Sequence, residues 1–376
     1  MSGGAAAGPG GGAAGPVGGG GAAGPVAGGR AAGARAVPPP ARLVSRWLAL
    51  VALLAIALLA GVAFGGAAGV GPLDALRALF GLAPRHADPA LVEPLVWIFR
   101  LPRVLIMALA GAALAVAGAA LQASLQNGLV DPSLVGVSGG ASLGAVLAYT
   151  SGLADRWLFS VPLAAFAGAL IAVVAVYVIA YAAGRPTTGA LLLTGVAIGS
   201  LAAALVSVLI LATAQHRVHE IFGWLLGSAE GRTWRDVRLA VFPVAAGIAG
   251  LFLLRRVVDA LALGEEHALS IGVDLLRARA AVFAAVALAA GGAVSVTGPV
   301  AFVGLMVPHM VRAWTGPSAR SLLPASMLAG AAFLVLADLL GRVVSVTVDL
   351  PVGIVTTLMG VPFFLFLLHR ARVGRG

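Results

Sequence analysis

The sequence predicts an all-α integral membrane protein with ten transmembrane helices and a short cytoplasmic helix between the sixth and seventh spans. Three observations carry that prediction. Of the 376 residues 60% are hydrophobic, with a mean hydropathy of +1.04, far above what a soluble domain carries. The apolar residues fall into runs of about 20, the length a hydrocarbon core selects. Charged residues make up only 10%, and the arginines stand mostly at the ends of the runs, where membrane topology is written.

Residues 1–40 are a Gly/Ala/Pro-rich stretch without periodicity, read as a disordered cytoplasmic tail, and residues 41–376 form the membrane domain. No signal peptide is expected, because the first apolar stretch begins only near Trp47. Apolar runs then follow near 47–69, 101–124, 133–152, 159–183, 189–213, 237–254, 278–297, 300–314, 322–341 and 350–369. The charge-free stretch between Arg279 and Arg312 is too long for one span. Gly298-Pro299 divides it, since proline lacks a backbone donor and disfavours helix in the residue before it. Both ends of the chain are arginine-rich (Arg30, Arg35, Arg42, Arg46; Arg370, Arg372, Arg375), which favours ten spans of a cytoplasmic membrane with both termini on the cytoplasmic side.

Several chemistries are excluded by composition. There is no cysteine, hence no disulfide, thiolate zinc site or iron–sulfur cluster. All 24 basic residues are arginine, so the chain lacks the lysine that a P-loop needs for its phosphates. The net charge of +10 does not imply nucleic acid, because the arginines are dispersed along span ends. Asp338 is the only acid placed within a span, with Arg342 four residues on and on the same helical face. An ion-coupled carrier usually buries several acids or histidines along its path. No Ser/His/Asp set or paired carboxylates recur on one face, which leaves a membrane enzyme without support. Small residues are abundant instead: Gly140 and Gly144 make a GxxxG face, and Gly111, Gly118, Gly291 and Gly292 allow close helix approach. A tightly packed bundle of this kind takes its driving energy from elsewhere.

Three long stretches, RLPRVLIMALAGAALAVAGAALQASLQNGLVDPSLVGVSGGASLGA (100–145), VTGPVAFVGLMVPHMVR (296–312) and LPVGIVTTLMGVPFFLFLL (350–368), resemble the FecCD family. These are membrane permeases of type II ABC importers for ferric siderophores, haem and vitamin B12. LALGEEHALSIGVD (261–274) is similar to the family's segment between spans six and seven, and FGWLLGSAEGRTW (222–234) to its W-x-x-G-S stretch. Asn127-Gly128 departs from the family's Asn-Pro, and the 1–40 tail lies outside the pattern. The resemblance implies a permease, not an enzyme, that translocates an iron chelate or cobalamin as a homodimer in the bacterial cytoplasmic membrane. It implies two copies of an ABC ATPase subunit, which bind the ATP and Mg, and a periplasmic or lipoprotein substrate-binding protein. This chain itself binds no cofactor or metal on that reading, and contacts lipid but no nucleic acid. An ion-coupled secondary transporter is the alternative.

Gly264 and Gly272 bound one to two helical turns, with Glu265 and Glu266 in the first turn favouring the helix dipole. Ala268, Leu269 and Ile271 can form an apolar patch that inserts into a groove of a soluble partner. The resemblance makes this the coupling helix; chemistry alone also allows a solvated connector. Arg100 and Arg103 at the outer mouth read either as interfacial anchors or, by resemblance, as cations that meet carboxylates of the binding protein. Arg342 matches a third such position, and its alternative is an intrahelical pair with Asp338. Thr187, Thr188 and Gly189 fall where the family has its cytoplasmic gate, although such residues are also ordinary in loops. His309 is read as a packed structural residue, Gln122, Gln126 and Asn127 as polar links between helices, and Asp131 as a helix start.

Overall fold

The computed structural model describes residues 40–65, 70–182, 187–344 and 349–373. The 1–40 tail and its arginines therefore lie outside the described residues, apart from Pro40, which opens the first helix. Among the described residues no strand forms.

Helix α1 (Pro40–Ala63) is followed by two short helices, α2 (Pro72–Leu79) and α3 (Pro89–Pro94). A π-helical turn, Leu95–Arg100, joins α3 to α4 (Leu101–Ser124) without a break. The Leu101 N–H reaches back five residues to the Val96 carbonyl, and Pro102, having no N–H of its own, cannot hold the tighter register. Beyond α4 come α5 (Val137–Thr150), the single turn α6 (Leu153–Arg156), α7 (Ser160–Ala182), α8 (Thr188–Leu211) and α9 (Gln215–Leu225). The chain continues through α10 (Trp234–Leu253), α11 (Arg255–Ala262), α12 (Glu265–Ser270) and α13 (Leu275–Thr297). It closes with α14 (Val303–Thr315), α15 (Ala319–Val344) and α16 (Val352–Val373).

Each of the ten apolar runs contains a helix, but among the described residues only eight helices are long and apolar enough to cross a bilayer. The runs 133–152 and 300–314 form α5, of 14 residues, and α14, of 13. At 1.5 Å per residue these reach only about 20 Å, against a hydrocarbon core of about 30 Å. Local chemistry shortens them. Asp131 and Pro132 open a separate 3₁₀ turn that Gly136 ends at φ +90°, and Phe302, in the left-handed region at φ +68°, keeps α14 from starting before Val303. The break at Gly298-Pro299 falls where the sequence places it, with α13 ending at Thr297.

Helix α4 is the centre of the bundle, packed by α10, α13, α14 and α15. It is apolar all round, and it is buried nearly throughout from Val104 to Ser124, as such a helix must be. Small residues set the spacing. A Cβ on Gly111 would stand 2.1 Å from the Gly330 carbonyl oxygen of α15, and one on Gly140 of α5 2.2 Å from that of Gly168 in α7. Gly118 meets Gly304 of α14, Gly144 meets Ala164, and Gly291 and Gly292 lie against Ala169 and Pro243. The backbones touch, which is how helices associate where lipid removes any hydrophobic drive between them. Helix α8 packs on α5 and leaves Leu193, Leu201, Leu205, Val208 and Leu211 exposed.

Candidate functional site

The ends of α1, α4 and α15 and the start of α16 meet in a cluster of charge. Arg103 donates through Nε and Nη2 to Asp338 at 3.0–3.2 Å and through Nη1 to Asp349 at 2.7 Å. Arg342 Nε pairs with Asp338 Oδ2 at 3.0 Å, the intrahelical pair that their spacing predicts. Arg342 also donates to the Gly61 and Phe64 carbonyls at 3.0 and 2.9 Å. Arg100 donates to the Val62, Ala63 and Gly65 carbonyls at 3.0, 3.0 and 2.6 Å. These are carbonyls at the C-terminal end of α1, which have no partner within their own helix. Two buried arginines therefore cap α1 and fix it to α4 and α15, a structural duty that a reading of them as free cations does not include. Arg100, Arg103 and Arg342 all line a cleft of about 220 Å³, together with Glu230, Arg232 and Asp349. Burial holds the Arg232 guanidinium below its ordinary value, with Asp236 acting in the opposite sense.

At the other end of the bundle lies α12. Gly264 before it and Gly272 after it take φ of +115° and +81°, conformations that favour glycine. Glu265 accepts from Arg279 Nη2 of α13 at 2.6 Å. Ala268 is fully buried, whereas Leu269 and Ile271 are 54% and 57% exposed. The expected patch is thus corrected: Ala268 points into the chain's own core, and Leu263 before Gly264, 68% exposed, joins Leu269 and Ile271 as the outward apolar surface. Glu266 is exposed beside them.

The same end holds a polar node. Gln122 donates to the Gly304 carbonyl at 3.0 Å and accepts from Arg312 Nη2 at 3.0 Å. Gln126 donates to the Ala262 carbonyl at 3.4 Å, tying the loop after α4 to the turn before α12. Asn127 instead accepts from the Leu129 N–H within its own loop. Thr187 caps α8 by accepting from Ala190 N, Thr188 donates to the Leu125 carbonyl at 3.1 Å, and Gly189 faces open space. His309 stacks edge-on to Phe363 at 6.0 Å. Asp131 accepts from Ser133 N at 2.9 Å as the start of its turn.

Between the two ends, α5, α8 and α9 enclose a cleft of about 600 Å³ lined by Ser138, Ser142, Ser207, Phe222 and Pro299. A second cleft of about 390 Å³ shares Ser138, Leu225 and Pro299 and adds Ser133, Gly353 and Thr357. Neither is lined by a charged residue. The serines are scattered through otherwise apolar runs, so only the folded chain brings them together.

Apolar, hydroxyl-lined clefts between long membrane helices, with separate charged ends, define a multi-pass membrane permease. The chain belongs to the FecCD transport family, whose model matches residues 52–370, and it is a permease subunit of an ABC importer. It is 42% identical over 302 residues to the cobalamin import system permease protein BtuC of Halobacterium salinarum, covering 80% of each chain. It is 37% identical over 337 residues to the Fe(3+) dicitrate transport system permease protein FecC of Escherichia coli, covering 89% of this chain and 96% of that one. A structure described as an inward-facing conformation of a metal-chelate type ABC transporter matches with a TM-score of 0.75 and 27% identity, over 87% of this chain and 99% of that chain.

Proposed function

We propose that this permease carries cobalamin or a ferric chelate across the bacterial cytoplasmic membrane. In this reading two copies form a homodimer, two ABC ATPase subunits bind below it, and a substrate-binding protein docks above. The observation that carries the reading is α12. A short helix is held to the bundle by buried Ala268 and the Glu265–Arg279 pair, yet presents Leu263, Leu269 and Ile271 outward. An outward apolar surface next to acids suits a groove on a soluble partner. ATP and Mg belong to that partner, and this chain supplies no catalytic group, metal site or cofactor.

Ten crossings follow if α5 and α14 are completed by the segments before them, a 3₁₀ turn with its flanking chain and an irregular stretch. Val130, Asp131, Pro132, Val135 and Val300 in those segments are buried, and irregular backbone at membrane depth is tolerated only inside protein. Both termini then lie in the cytoplasm. The substrate passes the serine-lined clefts, with Thr187, Thr188 and Gly189 at the inner gate and the exposed faces of α8 and α16 meeting the second copy or lipid. At the outer end, a carboxylate of the binding protein competes with Asp349, which is 26% exposed, for Arg103. Arg100 and Arg342 hold the cleft in shape, and the association weakens as salt rises.

Ion coupling fits less well. The buried acids among the described residues are Asp74, Asp131, Asp236 and Asp338, and each accepts a hydrogen bond from a named group of the chain. Transport reconstituted with the ATPase and binding protein, compared with the chain alone under an ion gradient, separates the two readings.

A further inference from the structure

We infer that α13 carries motion from α12 to the wall of the serine-lined clefts, and that Arg279 is the positioning residue that makes α12 and α13 move together. The inference rests on α12 being the ATPase contact and adds the route by which its displacement reaches the path.

The near end is a rigid joint. Arg279 is 5% exposed, and its 2.6 Å bond to Glu265 is a charge-assisted hydrogen bond of the strong kind. The Val273 N–H donates to the Ala268 carbonyl at 2.9 Å, and Asp274 caps α13 by accepting from Leu276 N and Arg277 N. Glycine flanks α12 on both sides, but Gly272, at φ +81°, is spanned by the Val273–Ala268 bond and the Arg279–Glu265 pair. Gly264, at φ +115° and ψ 156°, instead donates its N–H to Leu261 of α11 and accepts at its carbonyl from Ala268 of α12, and so sits at the pivot between them. A push on Leu269 or Ile271 therefore turns about Gly264 and is delivered to α13.

The rod itself is a 23-residue helix without proline, buried continuously from Ala285 to Thr297 except at Leu288. It spans about 34 Å. The far end is again tied by backbone. The Thr297 carbonyl accepts from Ser228 N at 2.7 Å, and Gly353 N donates to the Gly227 carbonyl at 3.2 Å. A Cβ on Gly227 would stand 2.2 Å from the Pro299 carbonyl oxygen and one on Gly353 3.1 Å from it. Pro299 lines both serine-bearing clefts. Axial or rotary displacement of α13 consequently moves the shared wall of the clefts and the head of α16. Packed elements of this kind switch between discrete arrangements, so a small shift is not dissipated.

The experiment uses the full transporter, with ATPase and binding protein, in proteoliposomes, and reads uptake of cobalamin or ferric dicitrate, whichever the wild type takes up, per ATP hydrolysed. Arg279→Met keeps the buried length of the side chain and removes the charge. The expected result is an ATPase that still co-purifies and hydrolyses ATP, with uptake per ATP reduced about ten-fold or more. Uptake per ATP within about two-fold of wild type overturns the inference, and so does a folded variant that no longer holds the ATPase, since Arg279 would then shape only the docking surface. If Arg279→Met does not fold, Glu265→Gln breaks the same pair from its exposed side, and the uptake-to-hydrolysis ratio decides in the same way. Failure of wild type to bind an ATPase at all would instead refute the reading of α12, and the wild-type control shows which has failed.

Discussion

Arg103 and Asp338 join α4 to α15 through three hydrogen bonds of 3.0–3.2 Å, and the same carboxylate holds Arg342 at 3.0 Å. One 2%-exposed acid thus balances two guanidiniums at the end of the bundle.

Replacing Asp338 with Asn should therefore be severe. It leaves the buried Arg342 without its carboxylate and Arg103 with Asp349 alone, at a cost of about 3–5 kcal/mol. Asp349→Asn, at the rim, should cost less than about 1 kcal/mol. Thermal unfolding of the detergent-solubilised protein compares the two. Equal shifts would mean that Asp338 is not the keystone of the cluster.

The coupling surface separates into inward and outward residues. Leu269→Arg should leave folded yield unchanged and abolish co-purification of the ATPase, because it places a charge in an apolar contact. Ala268→Arg should instead lower folded yield, since that position is fully buried. Retained ATPase binding by folded Leu269→Arg protein would argue that the contact lies elsewhere.

How far these features were legible in the sequence depends on their range. The Gly298-Pro299 break and the Asp338–Arg342 pair are local, and residue chemistry within a few positions decides them. Arg103 meets Asp338 and Asp349 across 235 and 246 residues, a separation at which one sequence carries no signal. Ala268 was misplaced because six residues give too little periodicity to tell the inner face of a helix from its outer one. Helices α5 and α14 came out short because Val130 and Val300 are buried in irregular backbone and Val135 in a separate 3₁₀ turn, and apolar composition alone cannot distinguish these from α-helix. The serine clefts had no sequence signature, and Arg279, the first charge of α13 to be buried, became significant only once Glu265 faced it.

Close packing at the glycines makes a sharp prediction. Gly111→Val should force α4 and α15 apart and destabilise the protein by about 1–3 kcal/mol. Gly199→Ala, where an added Cβ meets nothing within 4 Å, should be neutral or slightly stabilising in a helix. Unfolding temperatures of the two variants test this, and a tolerated Gly111→Val would mean that the helices can separate freely.

Because the chain has no cysteine, introduced ones report topology directly. With ten crossings, Gly128→Cys and Trp157→Cys flank a complete third span and label from opposite sides of the membrane. Labelling of both from one side would mean that α5 does not cross and that ten is not the count.

The most direct test of the account is transport in liposomes. The chain with its ATPase and binding protein should take up cobalamin or ferric dicitrate only while ATP is hydrolysed, and a hydrolysis-dead ATPase should stop it. The chain alone should move neither under an imposed proton or sodium gradient, because its buried acids are already committed to hydrogen bonds and ion pairs within the fold. Gradient-driven uptake by the lone chain would contradict the account and establish a secondary transporter in its place.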